Sequence, residues 1–336
     1  MSLELPRLSH AAFIADLSPR ERSLWRIALT LVAGLLGGLV VGLIGGLLAL
    51  LAIVVATGGL KGGLQSLLQG VNSLVSEGGA TVRGALGLLS MAAATNVPLA
   101  ATFIVIAAMI AGRKVSRYVT TAPKIRWRLL LAGLLLSFLI IGPGLCLAQS
   151  LDPHAPPAPM LNLAKDWPTR IGYAIACFLL LIPAAAAEEI LFRGWLLRQS
   201  AMVTRNPWFL MALNGVLFSA VHGIGAPSEL APDPFLTRAL MGAGFTYMTL
   251  RLGGIEFSTG AHAANNILIV LFVEPLTLKP AASSGVSIDS LAQDLFLLVS
   301  YVLMAEAVAR WPLLRRWSGA DQVPDLTANV AAEHFS

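Results

Sequence analysis

Charge is what this sequence has least of. Asp, Glu, Lys and Arg make up 12% of the 336 residues while 56% are hydrophobic, and an ordinary soluble domain is about 25% charged. The shortage excludes a soluble globular domain and puts the chain in a membrane. Apolar runs of about 18 or more residues, each able to cross a hydrocarbon core of roughly 30 Å, recur along almost its whole length. Cysteine is scarce too. Cys146 and Cys177 lie inside apolar segments with neither C-x-x-C spacing nor a Cys/His ligand pattern, so they read as small core residues and exclude a disulfide scaffold. The first 26 residues lack the compact apolar centre of a cleaved signal and instead carry Glu4, Arg7, Asp16, Arg20, Glu21, Arg22 and Arg26. They read as a cytoplasmic lead-in to an uncleaved first span.

The net charge of +5 does not point to nucleic acid, because the basic residues sit at the ends of apolar runs rather than on one surface or motif. They act as topology signals. The pattern predicts an all-α, polytopic transmembrane bundle of about eight spans, near 27–57, 95–112, 129–149, 171–199, 207–224, 236–250, 258–274 and 291–311. Lys and Arg crowd alternate loops: Arg20, Arg22 and Arg26; Arg113 through Arg128; Arg198 and Arg205; Arg251; Arg315 and Arg316. By the positive-inside rule the chain is a multi-pass cell-membrane protein with both termini cytoplasmic. Gly34, Gly38, Gly42 and Gly46 recur at four-residue intervals in the first span and suit close helix packing or an oligomer contact. Residues 58–94 read as interfacial or re-entrant, 151–168 as an external loop rich in Pro, and 318–336 as a polar tail.

Against this background one apolar stretch, PAAAAEEILFRGWLL, carries Glu188, Glu189 and Arg193. An isolated charge in hydrocarbon costs several kcal/mol, about 2.5–3.5 for Asp, Lys or Arg at a helix centre, so such residues face protein groups or a wet cavity. On a helix Glu189 and Arg193 are four apart, on one face, with the acid first, the favoured order for an ion pair. Glu188 lies roughly 140 degrees from Arg193 at 100 degrees per residue and needs another partner. Of the five histidines, His222 and His262 lie in apolar segments. Phe218 precedes His222 by one turn, and Asn266 follows His262 by one turn with Asn265 slightly off that face. Each polar residue alone also suits helix-to-helix hydrogen bonding. Together, on three separate helices, they are expected to converge.

Such a group suits amide hydrolysis. A desolvated carboxylate takes a proton from water, a His orients that water, and a His with an Asn amide stabilises the oxyanion. The same side chains suit a divalent metal such as zinc, held by Glu188, His222, His262 and Asn266 with water at an open position. Sequence spacing leaves both readings open, and the H-E-x-x-H pattern of soluble zinc proteases is absent.

The motifs E-E-x-x-x-R (Glu188, Glu189, Arg193), F-x-x-x-H (Phe218, His222) and H-x-x-x-N (His262, Asn266) resemble, in order and spacing, those of the CAAX protease and bacteriocin-processing family of intramembrane proteases. That family is similar to the Ras-converting CAAX endopeptidase and includes the abortive-infection proteins. The resemblance covers residues 171–274. It implies that Glu188 activates water with His222, that His262 and Asn266 form the oxyanion site, and that Glu189, Arg193 and Phe218 support them. Glutamate-dependent and metal-dependent mechanisms are both associated with the family. The implied organisation is an N-terminal membrane region of unassigned role (1–170), a catalytic core (171–274), a last span (275–317) and a cytoplasmic tail (318–336). The implied partner is a polypeptide with a hydrophobic or lipidated segment, CAAX-type or bacteriocin-like, in contact with membrane lipid. An ion-coupled transporter and a non-catalytic membrane scaffold remain as other classes, since intramembrane Glu, His and Arg also build proton relays. The absence of an inverted repeat speaks against the transporter.

One geometric problem accompanies this reading. With alternating spans, Glu188 falls toward the inner end of its helix and His222 toward the outer end of the next. A kink at Pro183 or an inner end beyond Arg198 would bring them level.

Overall fold

The computed structural model describes residues 8, 11–56, 65, 69–72, 79–151, 158–224, 227–276 and 285–323. Eight longer helices run through them: α1 Leu24–Ala56, α2 Val82–Ala111, α3 Trp127–Leu151, α4 Trp167–Glu189, α5 Pro207–His222, α6 Pro232–Leu252, α7 Glu256–Leu268 and α8 Ile288–Arg310. Two of them change pitch. A wide π segment, Ile190–Leu196, continues α4 into Leu197–Ser200, and another, Ile269–Val273, extends α7. The helix ends follow local chemistry. Asp166 caps α4 by accepting the Thr169 N–H at 2.9 Å, Asn206 caps α5 in the same way, and both are standard N-cap residues. Gly112 and Gly253 close α2 and α6 at φ 63° and 68°, a left-handed conformation that suits Gly.

The expectation of about eight spans is corrected by the fold. Five helices are long and apolar enough to cross a membrane: α1, α2, α3, the continuous Trp167–Ser200, and α8. The chain is an all-α, multi-pass membrane protein with five candidate spans among the described residues. Helix α5 is apolar but has only 16 residues. Helix α6 has 21 residues but includes Asp233, Thr237, Arg238 and Arg251, and α7 has only 13, with Ser, Thr, His and Asn among them. The reason lies in what these helices face. Every residue of α7 except Asn266 is buried, so other helices surround it and its side chains are not selected for lipid.

Helix α1 shows the opposite pattern. Gly34, Gly38, Gly42 and Gly46 are its buried strip. A Cβ at Gly38 would come within 2.9 Å of the Leu99 carbonyl oxygen and one at Gly42 within 2.7 Å of that of Thr95, so the strip seats α1 directly on α2. Leu35, Leu39, Leu43 and Leu47 are exposed on its remaining surface, as a lipid-facing helix requires.

Helix α7 is seated on α3 through a second glycine contact. A Cβ on Gly260 would collide with the Leu130 carbonyl oxygen, and one on Gly133 with that of Phe257. Gly260→Ala is therefore expected to force the two backbones apart and to cost about 1–3 kcal/mol, the usual range for overpacking. Thermal unfolding in detergent checks this, and an unchanged Tm would contradict the contact.

One end of the bundle collects the basic residues and both described ends of the chain. Residues 11–23 are more than a lead-in. Phe13 and Ile14 are fully buried against Leu197, Leu210, Leu250 and Ile255. The buried Arg198 guanidinium donates to the Phe13 carbonyl at 2.6 Å and to Glu21 at 3.2 Å. At the same end Arg126 binds Glu256 through two hydrogen bonds, at 2.9 and 2.7 Å, and donates to the Leu252 carbonyl at 2.8 Å. The first part of the expected tail is also packed here, with Ser318 buried and Gly319 beside the Arg126 side chain. Most of 58–78, residues 152–157 and 324–336 lie outside the described residues.

Candidate active site

Three helices bring the site together. Glu188 and Glu189 end the regular part of α4, one turn after Pro183, His222 is the last residue of α5, and His262 and Asn266 lie on α7. The depth problem resolves through helix lengths. Glu188 stands 12 residues before Ser200 and His222 stands 15 residues after Pro207, so they rise about 18 and about 22 Å from a common short connection. Side-chain reach covers the remainder.

The ion pair read from spacing is present and fully buried. Arg193 Nη1 donates to Glu189 Oε1 at 2.9 Å, and Arg193 Nη2 donates to the Gly242 carbonyl at 3.1 Å. The π segment beginning at Ile190 is what keeps Phe192, Arg193, Gly194 and Trp195 all buried, more consecutive residues than one α-helical face turns inward. Such segments recur at functional sites. Phe218 lies against the Arg193 guanidinium, with Cζ 4.5 Å from its ring centroid. The same ring meets His222 and His262 edge-on, at 4.7 and 5.8 Å between centroids. Phe245 stacks on His262 from the other side at 4.9 Å. Both imidazoles are thus held by aromatic walls.

The ring nitrogens are also assigned by their partners. His222 Nδ1 lies 2.7 Å from the Phe218 carbonyl oxygen. A carbonyl only accepts, so Nδ1 carries the proton. His262 Nδ1 lies 3.0 Å from Glu189 Oε1, and a carboxylate likewise requires the proton on Nδ1. Both rings then turn Nε2 toward Glu188. Glu188 Oε2 is 3.8 Å from Nε2 of His222 and 3.6 Å from Nε2 of His262, and it accepts no hydrogen bond although it is buried. These separations are too long for direct hydrogen bonds.

A cavity of about 560 Å³ opens at this point, within the usual size range of ligand pockets. Glu188, His222, His262 and Asn266 line it beside apolar side chains such as Leu89, Leu181 and Ile269. The Glu188 and His222 side chains are 23% and 31% exposed to the cavity, while Glu188 Oε2 itself is covered. Two imidazoles and a carboxylate are chemically suited to zinc. Both Nε2 atoms are free and both Nδ1 atoms face oxygen acceptors, as in metal-ligating His, but among the described residues no group of three or more His, Cys, Asp and Glu side chains is placed to hold a metal ion.

Residues 170–268 match a CAAX protease family model. Its description is "Type II CAAX prenyl endopeptidase Rce1-like", and the match over part of the chain is consistent with membership of the CAAX protease superfamily. The chain is also 31% identical over 160 residues to the uncharacterized protein YyaK of Bacillus subtilis (strain 168), an alignment covering 46% of this chain and 51% of YyaK. The chain thus spans about half the length of the curated relative it matches. No solved structure matches.

The Rce1-like segment contains Glu188, Glu189, Arg193, Phe218, His222, His262 and Asn266. Further residues of the site have no role assigned from sequence. Asn265, buried next to Asn266, also lines the cavity and accepts from the Tyr301 hydroxyl of α8 at 3.4 Å. Both amides of H-x-x-N-N thus reach the cavity, and Asn265 is tied to α8 as well. Asp233, Thr237 and Arg238 of α6 and Asn96 of α2 join the cavity wall. Only their position in polar or mixed stretches hints at this.

Proposed function

We propose that the chain is an intramembrane endopeptidase that hydrolyses a peptide bond of a membrane-associated polypeptide, with Glu188 as general base. The observation that carries this reading is the unpartnered Glu188 carboxylate oxygen facing two Nε2 atoms whose opposite nitrogens are locked. A water between Glu188 and His222 donates one proton to the carboxylate and one hydrogen bond to the His222 Nε2 lone pair. Its oxygen adds to the scissile carbonyl carbon. The oxyanion is received by the Asn266 amide beside His262, whose ring Glu189 orients through Nδ1. Glu188 then passes its proton to the amide nitrogen, the C–N bond breaks to give a carboxylic acid and an amine, and the acid's proton passes to the amine, so a carboxylate and an ammonium leave. Arg193 holds Glu189 in line and Phe218 fixes the spacing of the two rings.

The partly apolar cavity supports a substrate with a hydrophobic or lipidated segment, and similarity to the Rce1-like prenyl endopeptidases makes CAAX-type peptides the first to try. The basic end of the bundle, which gathers both described chain ends, faces the cytoplasm in this reading.

Purified protein incubated with a library of hydrophobic and prenylated peptides tests the reading, with products identified by mass. Cleavage that persists in excess chelator is expected, because the steps use only side chains of this chain. Loss of cleavage in chelator, restored by zinc, would replace the glutamate-only route with a metal route. His222→Ala is expected to lower kcat by about 10²-fold, the scale of a misplaced reactant, with little change in Tm.

A further inference from the structure

A second pocket, of about 380 Å³, lies at the basic end and is lined by Ala12, Asp16, Gly112, Arg113, Lys114 and Arg117, with Thr121 at its edge. It belongs to no step of the reaction above. We infer that it binds the phosphate group of an anionic membrane lipid.

The charges there are not balanced within the chain. Both terminal nitrogens of Arg113 are taken, one by Asp16 and the other by Glu21 at 2.8 Å, so Arg113 forms a neutralised wall. Glu21 is shared further with Arg198. Lys114 and Arg117 are exposed beside that wall. Arg117 uses Nη1 on the Thr121 carbonyl at 3.1 Å, which fixes the guanidinium at the rim. The exposed Arg20 side chain lies against Gly112, where a Cβ would crowd its Nη1. Lys114 and Arg117 thus line the pocket with Arg20 beside it, while the charges of Asp16 and Glu21 are matched by Arg113 and Arg198.

Depth selects the ligand. The pocket sits where α2, an apolar helix of 30 residues, ends at Gly112. Trp25 and Trp127, at the starts of α1 and α3, are 61% and 69% exposed, and exposed Trp marks the headgroup layer. A phosphate at that level beside Lys and Arg is recognised by charge-assisted hydrogen bonds. Exposed Val115 and Ile125 nearby offer apolar surface to the glycerol and upper acyl region.

The test uses the full chain in detergent, titrated with phosphatidylglycerol or phosphatidylcholine and read by native mass spectrometry. Wild type is expected to retain phosphatidylglycerol in preference to phosphatidylcholine. The double variant Lys114→Gln, Arg117→Gln should bind phosphatidylglycerol roughly 30-fold more weakly. Lys114→Gln alone, which touches no hydrogen bond of the fold, should lose roughly fivefold. Arg315→Gln, Arg316→Gln, a basic pair away from the pocket, should bind as wild type does. Equal binding by wild type and the double variant overturns the inference, as does an equal loss in the Arg315, Arg316 control. Saturable binding of inorganic phosphate with no preference between the two lipids overturns the assignment to lipid.

Discussion

Glu188→Gln is expected to lower the rate of peptide cleavage by about 10²–10⁴-fold, the contribution usual for a general base. Gln has nearly the shape of Glu and still fits between His222 and His262, but it takes no proton from water. The substitution should leave the fold intact. Glu188 holds no hydrogen bond through Oε2 and lies at 3.6–3.8 Å from both imidazoles, so no structural partner is orphaned. The measurement is kcat and KM on whichever library peptide wild type cleaves fastest, beside a thermal melt. A fall in kcat with unchanged KM and Tm is the signature of a group used in the transition state. Unchanged kcat would remove Glu188 as the base and leave the buried Glu189 pair as helix support only.

Arg193→Met should act on the other side of the division, through stability. The side chain is wholly buried, pairs with Glu189 at 2.9 Å, donates to Gly242 at 3.1 Å and stacks over Phe218. Removing it leaves the buried Glu189 carboxylate with His262 as a donor but no balancing charge, and breaking one partner of a buried pair costs about 3–5 kcal/mol. The double variant Arg193→Met, Glu189→Met should be more stable than Arg193→Met alone, because no uncompensated charge is left in the interior. Arg193→Lys should recover little, since an ammonium cannot address Glu189 and Gly242 together while lying flat on Phe218. Thermal melts of the three variants check the order. A single variant as stable as wild type would contradict the burial argument.

The residues that sequence reasoning selects for chemistry lie together around one cavity, while the same reasoning misjudges the span count and does not reach the packing of the N-terminal segment. Spacing along one helix is enough to predict Glu189 against Arg193, because 100 degrees per residue fixes which side chains meet. Hydropathy is a poorer guide to the number of spans. It scores what a residue is, and α6 and α7 are polar because neighbouring helices surround much of their surface. The N-terminal segment escapes for a related reason. Phe13 and Ile14 look incidental in a charged stretch, and only their burial beside Leu197 and Leu210, with Arg198 reaching back to the Phe13 carbonyl, makes that stretch part of the bundle.

By itself the sequence determined that this is a helical membrane protein, that Glu189 and Arg193 form a local pair, and that Glu188 needs a partner elsewhere. Those conclusions rest on composition and on the geometry of a single helix. The tertiary structure alone decided that Nε2 of His222 and Nε2 of His262 are the ring atoms turned to Glu188, that Asn265 lines the cavity beside Asn266, and that five helices rather than eight qualify as spans. It also showed that the N-terminal segment closes the basic end. Each of these depends on how separate helices pack, on π segments that turn a helix face, and on glycine contacts that set backbone separation, which no spacing within one helix encodes.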